Sequence, residues 1–168
     1  MITPDFVRLM ARYNQWQNRS LYAAADALDE TARRADRGAF FSSIHGTLSH
    51  LAWGDANWLH RFDGFPRSTA SIAESGEAHP DWAALKAARA LLDAAILDWS
   101  ARVDPHWLAD DMTWRLSSMK REITAPRGPV VAHFFNHQTH HRGQVHAMLT
   151  AAGVRPDATD LVLMVIDR

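Results

Sequence analysis

Apolar positions recur along this chain at spacings of three and four residues over four long stretches, the period of amphipathic helices. Thr3-Pro4 reads as an N-cap followed by proline at the first helical position, and Val7, Met10, Gln17, Leu21, Ala24 and Leu28 continue that stripe. The charged, small-residue stretch from Asp29 to Gly38 predicts a loop. A second helix is predicted from about Ala39 to Phe62, with Phe41, Ile44, Leu48, Leu51, Trp58 and Phe62 on one face. Gly64, Pro66 and a Ser/Thr/Gly-rich run to His79 then make a long connection. Pro80-Asp81-Trp82 opens a third helix carrying Leu85, Leu92, Ile96, Trp99 and Val103, and Pro105 ends it. Weak alternation in Met112–Leu116 and Glu122–Thr124 suggests a short hairpin. Gly128-Pro129 begins a fourth helix that runs to about Ala152, where Gly153 and Pro156 stop it. The apolar stretch Leu161–Ile166 fits either a short strand or a helical tail, capping the fold or extending a dimer contact. Four long helices with short-to-moderate connections predict an all-α four-helix bundle, one domain over residues 1–168.

Composition narrows the function more than the fold. Lysine plus arginine number 18 against 19 acidic residues, a formal net charge of −1, and the basic residues are scattered, so a nucleic-acid partner is not expected. No cysteine is present, which excludes disulfides, thiolate ligands and cysteine nucleophiles. Any thiol chemistry must therefore bring its sulfur in a separate molecule. Met1–Asp5 has neither a basic region nor an apolar run, and no stretch approaches the roughly 20 apolar residues of a membrane span. The expectation is a soluble, cytoplasmic protein without a membrane partner.

The chemistry concentrates in the fourth predicted helix. His133, His137, His140 and His141 fall within nine residues, and His137 and His141, four apart, project from one face. His141 lies on the inward stripe with Val131, Phe134, Gln138, Val145 and Met148, and His137 sits at its edge. The bland reading is a pair of boundary histidines bonded to backbone or water. A shared divalent metal would instead satisfy two buried imidazoles together. The third ligand needs another helix, and His50 is the best candidate because Gly46 and Gly54 leave its face uncovered. Mid-helix glycines cost about 1 kcal/mol each relative to alanine, although a close helix crossing would also explain them. His45 and His60 are expected at the surface, and His79, His106 and His146 are read as structural. His133 stays open as a ligand, and His140 reads as a neighbour of the site or a surface residue.

Other polar residues on these helices have two readings each. Asp55 falls on the apolar stripe of the second helix and needs a partner, for which Arg142 is a candidate; otherwise it orients a ligand histidine or acts as a base. Asn14 and Gln144 supply hydrogen bonds to a ligand histidine or a substrate, or serve helix packing. Trp53, one turn from His50, is placed at the pocket wall.

Asn136-His137-Gln138-Thr139-His140-His141-Arg142-Gly143-Gln144 resembles the signature of the DinB-like superfamily of metal-dependent enzymes, also called YfiT-like. Ser49–Trp58 resembles that family's second-helix motif, and Tyr13–Asn18 its first-helix motif, in the right order. The resemblance implies a four-helix bundle of up-down-down-up type, a divalent metal on His50, His137 and His141, and a homodimer. Some relatives are thiol transferases that use a low-molecular-weight thiol. Three imidazoles suit zinc, nickel or iron, with an open position for water or substrate. Such an ion can acidify a bound water or hold a small thiol as its thiolate. Three readings compete: a thiol (S-)transferase on a small-molecule substrate, a metal-dependent hydrolase, or a non-catalytic stress-response bundle with a structural metal.

Overall fold

The computed structural model describes residues 1–116 and 120–166 and is mostly helical, with one small two-stranded sheet. Helix α1 (Pro4–Asp26) starts where Thr3 accepts a hydrogen bond from the Phe6 N–H at 3.2 Å. A one-turn helix, α2 (Glu30–Arg34), occupies the predicted loop, because Asp29 caps it through the Ala32 N–H at 2.8 Å. Helix α3 (Ile44–Asp63) begins later than the periodicity suggested. Ser42 turns left-handed at φ 60°, and Ser43 then caps the helix through the Gly46 N–H. Phe41 therefore lies in the preceding loop and not on the helical stripe. Gly64, at φ 75°, closes α3 in the left-handed conformation that suits glycine.

A single 3₁₀ turn, Ser75–Glu77, punctuates the long connection. Helix α4 (Trp82–Arg102) is capped by Asp81, and the short α5 (Pro105–Ala109) by Asp104. The expected hairpin is present as β1 (Asp111–Leu116) and β2 (Arg121–Pro126), antiparallel, with Thr113 opposite Thr124. Helix α6 (Arg127–Ala151) follows directly, and Gly153 turns the chain beyond it at φ 82°. The apolar tail Leu161–Ile166 is helical, α7, and lies against α1 with Val162, Val165 and Ile166 exposed.

The four long helices pack in a ring, α1 on α4, α4 on α3, α3 on α6 and α6 on α1. Side-chain contacts give their directions. Asn18 meets Asp93 and Asp26 meets Lys86, so α1 and α4 run antiparallel. Trp58 meets His133 while His50 meets His141, so α3 and α6 are antiparallel too. Asp55 meets Arg89 and Asp63 meets Arg102, making α3 and α4 parallel. Phe6 meets Phe135 and Asn14 meets Arg142, making α1 and α6 parallel. The apolar centre includes Leu21, Leu48, Leu59, Leu85, Ile96, Phe134 and Leu149, each at most 1% exposed. Burying side chains of this size contributes about 1.5–3 kcal/mol apiece. Phe62, Trp99 and Phe134 stack and edge together below the hairpin. Among the described residues, no helix is long and apolar enough to cross a membrane.

Candidate metal centre

The antiparallel crossing of α3 and α6 brings His50, His137 and His141 together, with one potential ligand atom from each lying within 4.8 Å of the other two. The Nε2 atoms of His50 and His137 are 3.2 Å apart, and the His141 ring is 4.7 Å from that of His50 and 4.5 Å from that of His137. His50 and His141 are buried and His137 is half-buried. Two nitrogens bound to one tetrahedral zinc, each about 2.0–2.1 Å from it, would stand about 3.3–3.4 Å apart.

Outer hydrogen bonds set the tautomers. The Ser75 hydroxyl donates to the Ile72 carbonyl at 2.7 Å, so its oxygen accepts from the His50 Nδ1–H at 2.8 Å. The His141 Nδ1–H donates to the Gln144 side-chain oxygen at 2.7 Å. Both rings thus turn a bare Nε2 lone pair away from its outer partner. The buried Nδ1 of His137 has no hydrogen-bond partner among the described residues. Facing lone pairs at 3.2 Å repel unless a proton or a cation lies between them, and a shared cation would relieve all three rings. The donor set therefore fits a divalent metal.

Burial keeps these imidazoles neutral, the form a metal requires. His50 is pushed down to about 3 by burial, with the His141 and His137 rings adding to the effect. His137 is pushed down to about 4 by burial, then by His141, His133 and His140. His141 is lowered by burial, with its bond to Gln144 opposing the shift.

The walls are aromatic. Phe41 lies parallel to the His50 ring at 3.8 Å, and Trp53 stacks on it at 5.6 Å while donating its indole N–H to the Ala70 carbonyl. The two suspected glycines both serve this arrangement. A Cβ on Gly54 would stand 3.2 Å from His137 Cε1, and one on Gly46 would stand 2.4 Å from the carbonyl oxygen of Phe41, the residue that covers His50. Ser75 opens the 3₁₀ turn and Phe41 lies in the loop before α3, and nothing in the spacing of either residue points at His50.

The remaining sequence candidates separate. Trp53 stacks on the His50 ring, and Gln144 accepts from His141. Asp55 does not pair with Arg142: it accepts from Arg89 at 2.6 Å and from Gln138 Nε2 at 3.0 Å, fully buried. Arg89 also lies 3.1 Å from Asp93, which accepts from Asn18 at 2.8 Å and from Asn14 at 3.4 Å. Arg142 reaches Asn14 and Thr139 and lies over the Tyr13 ring, and burial lowers its guanidinium to about 10. Asn14 thus serves this buried network and makes no recorded bond to a ligand histidine. Arg89 was missed, although it lies on the apolar stripe four residues after Leu85, where a buried charge complementary to Asp55 was readable. His45 is not at the surface. It is 1% exposed, and its Nε2 donates to the His79 carbonyl at 2.7 Å. His60 is exposed as expected, while His133 packs on Trp58 and stays outside the cluster. His140 is exposed, with its ring 4.9 Å from His141.

The sequence model of the DinB family matches residues 1–166. The chain is also 25% identical over 165 residues to "Protein DinB" of Bacillus subtilis (strain 168), across 93% of this chain and 91% of that one.

Proposed function

The chain belongs to the DinB family, and from that premise we propose that it is a divalent-metal-dependent thiol transferase acting on a small molecule. The observation that carries this reading is the apposition of three neutral imidazoles, with one ligand atom from each within 4.8 Å of the others, while Ser75 and Gln144 hold the outer nitrogens of two of them. His50, His137 and His141 would hold the ion. With neither thiolate nor carboxylate in the set, zinc, nickel and iron are all suitable. When bound, such an ion supplies Lewis acidity that renders a small thiol or a water nucleophilic near neutral pH.

The chain's own groups have narrower tasks. Ser75 and Gln144 fix ring orientation, and Phe41 and Trp53 keep water from the His50 ring. Gln144 and Arg142 are the polar groups on α6 from which substrate contacts would come. Asp55 is engaged by Arg89 and Gln138, which favours a structural role over that of a base. In the absence of cysteine, the sulfur comes with the cosubstrate. The pattern of helix contacts supports a four-helix bundle of up-down-down-up type, and the working assembly in this reading is a cytoplasmic homodimer without nucleic-acid or membrane partners.

The test is metal content per chain for the wild type and for His50→Ala, His137→Ala and His141→Ala, followed by turnover of electrophiles with and without added thiols. About one ion per chain, lost in each variant, with turnover that needs both metal and thiol, supports the proposal. Metal-dependent turnover without thiol would make the protein a hydrolase. Metal without turnover, combined with collapse on chelation, would make the ion structural.

A further inference from the structure

A cavity of about 440 Å³ opens at the other end of α3, between that helix, the β1–β2 hairpin and the start of α6. None of the three clustered histidines lines it. Arg61, at its wall, stands about 16 Å along α3 from His50 at 1.5 Å per residue. Its volume falls in the range of small-molecule sites, about 300–1,000 Å³. Four arginines line it, Arg61, Arg67, Arg115 and Arg127, against the single carboxylate of Asp111.

Nothing in the overall composition requires that clustering, since the chain's formal net charge is −1. Two of the guanidinium groups are held in place. Arg61 lies over the Trp58 ring at 4.7 Å and donates to the Asn57 carbonyl at 2.9 Å. Arg127 lies over the Trp107 ring at 5.0 Å, with Asp110 at 3.3 Å. Arg67 and Arg115 are exposed and form no ion pair among the described residues. The like charges are close enough that Arg67, after burial, adds to the lowering of the Arg61 pKa. Helix α6 starts at Arg127, whose N–H donates to the Asp110 carbonyl at 2.9 Å, so the positive charge at the rim comes from the guanidinium groups. Apolar wall is supplied by Trp107 and Trp114.

Planar forks that can bond two oxygens at once, set beside flat indole surface, match a phosphate ester attached to a flat or apolar body. We propose that this arginine-lined cavity is a second binding site, separate from the histidine cluster, for a small phosphate-bearing molecule. The site needs no metal, so it stands or falls independently of the transferase reading.

Phenyl phosphate and the tricarboxylate tricarballylate are the probes, titrated calorimetrically into full-length protein stripped of metal with a chelator. Stripping removes the histidine cluster as an alternative anion site. Phenyl phosphate is expected to bind the wild type, to weaken about tenfold or more in Arg67→Ala/Arg115→Ala, and to be unchanged in Arg8→Ala. Arg67 and Arg115 are exposed, so the double variant should keep its fold, which circular dichroism will verify. Three results overturn the proposal: no binding at about 10 mM, binding undiminished in the double variant, or tighter binding of tricarballylate than of phenyl phosphate.

Discussion

Replacing Gly54 by alanine should separate metal affinity from fold stability. Within α3, Gly→Ala gains about 1 kcal/mol of helix propensity. The new methyl would stand 3.2 Å from His137 Cε1 and 3.8 Å from its Nδ1. Carbon pairs settle at about 3.5–4.0 Å, so the ring must retreat by about 0.3 Å or more. A retreat through an off-rotamer side chain costs about 0.5–1.5 kcal/mol. These terms nearly cancel, and the metal-free variant should melt within about 4 °C of the wild type. Metal geometry is less tolerant, at about 0.2 Å. Displacing one ligand of three should weaken binding by about 10–100-fold, the loss typical of disturbed ligand orientation. Competition with a chromophoric chelator measures the affinity, and calorimetric scans of chelator-treated protein measure the stability. An affinity within about twofold of wild type would refute the idea that Gly54 makes room for a ligand.

Arg89→Ala leaves Asp55 and Asp93 buried without their shared cation and should cost about 3–5 kcal/mol in urea unfolding; a loss under about 1 kcal/mol would mean water replaces the guanidinium. Ser75→Ala removes the acceptor that fixes the His50 tautomer and should weaken metal binding by about 10–100-fold, with ring-nitrogen NMR shifts of His50 reporting tautomer exchange; unchanged shifts and affinity would return Ser75 to a packing role. Because His50 and His137 lie at about 3 and about 4 when folded, below their unfolded value, the unfolded chain takes up protons first as the solution is acidified. The stability of metal-free protein should therefore be full above about pH 6.5 and fall progressively toward pH 4, and His50→Gln should flatten that slope; melting temperatures independent of pH across this window would show the rings to be hydrated.

Helical periodicity was legible because each long helix buries one face, and Thr3, Asp81 and Gly153 mark boundaries by their own chemistry. It misplaced the start of α3 because Phe41 continues the stripe by spacing while Ser42 breaks the helix by its backbone, a local conformation that apolar spacing does not encode. The histidine cluster was legible for a related reason: two ligand candidates share a helix face, and glycine at 54 leaves a visible gap in an otherwise bulky helix. Ser75 approaches His50 from the isolated 3₁₀ turn and Phe41 from a loop, where contact depends on the path of the chain and not on any long period. His45 was misjudged because burial of a histidine depends on whether an acceptor waits for it, and the carbonyl of His79 comes from a segment 34 residues away.

The partner of Asp55 shows how the apolar and polar layers depend on each other. Apolar stripes alone would tolerate α6 sliding along α3 by one turn, about 5.4 Å, since one leucine or phenylalanine contact exchanges readily for another. Gln138 bonding to Asp55 at 3.0 Å does not tolerate it, because both groups are buried and a slip would leave an acceptor and a donor without partners. Asp55 is adjacent in sequence to Gly54, and Gln138 to His137, so this tie sits beside the contact that seats His137 against α3. Arg89 then fixes Asp55 from α4, and Asp93 carries the tie to Asn18 on α1. The ionic network does not itself bind the metal in this account. It holds the helices at the one register in which His50, His137 and His141 converge, which explains why charges that are costly to bury lie so close to the candidate site.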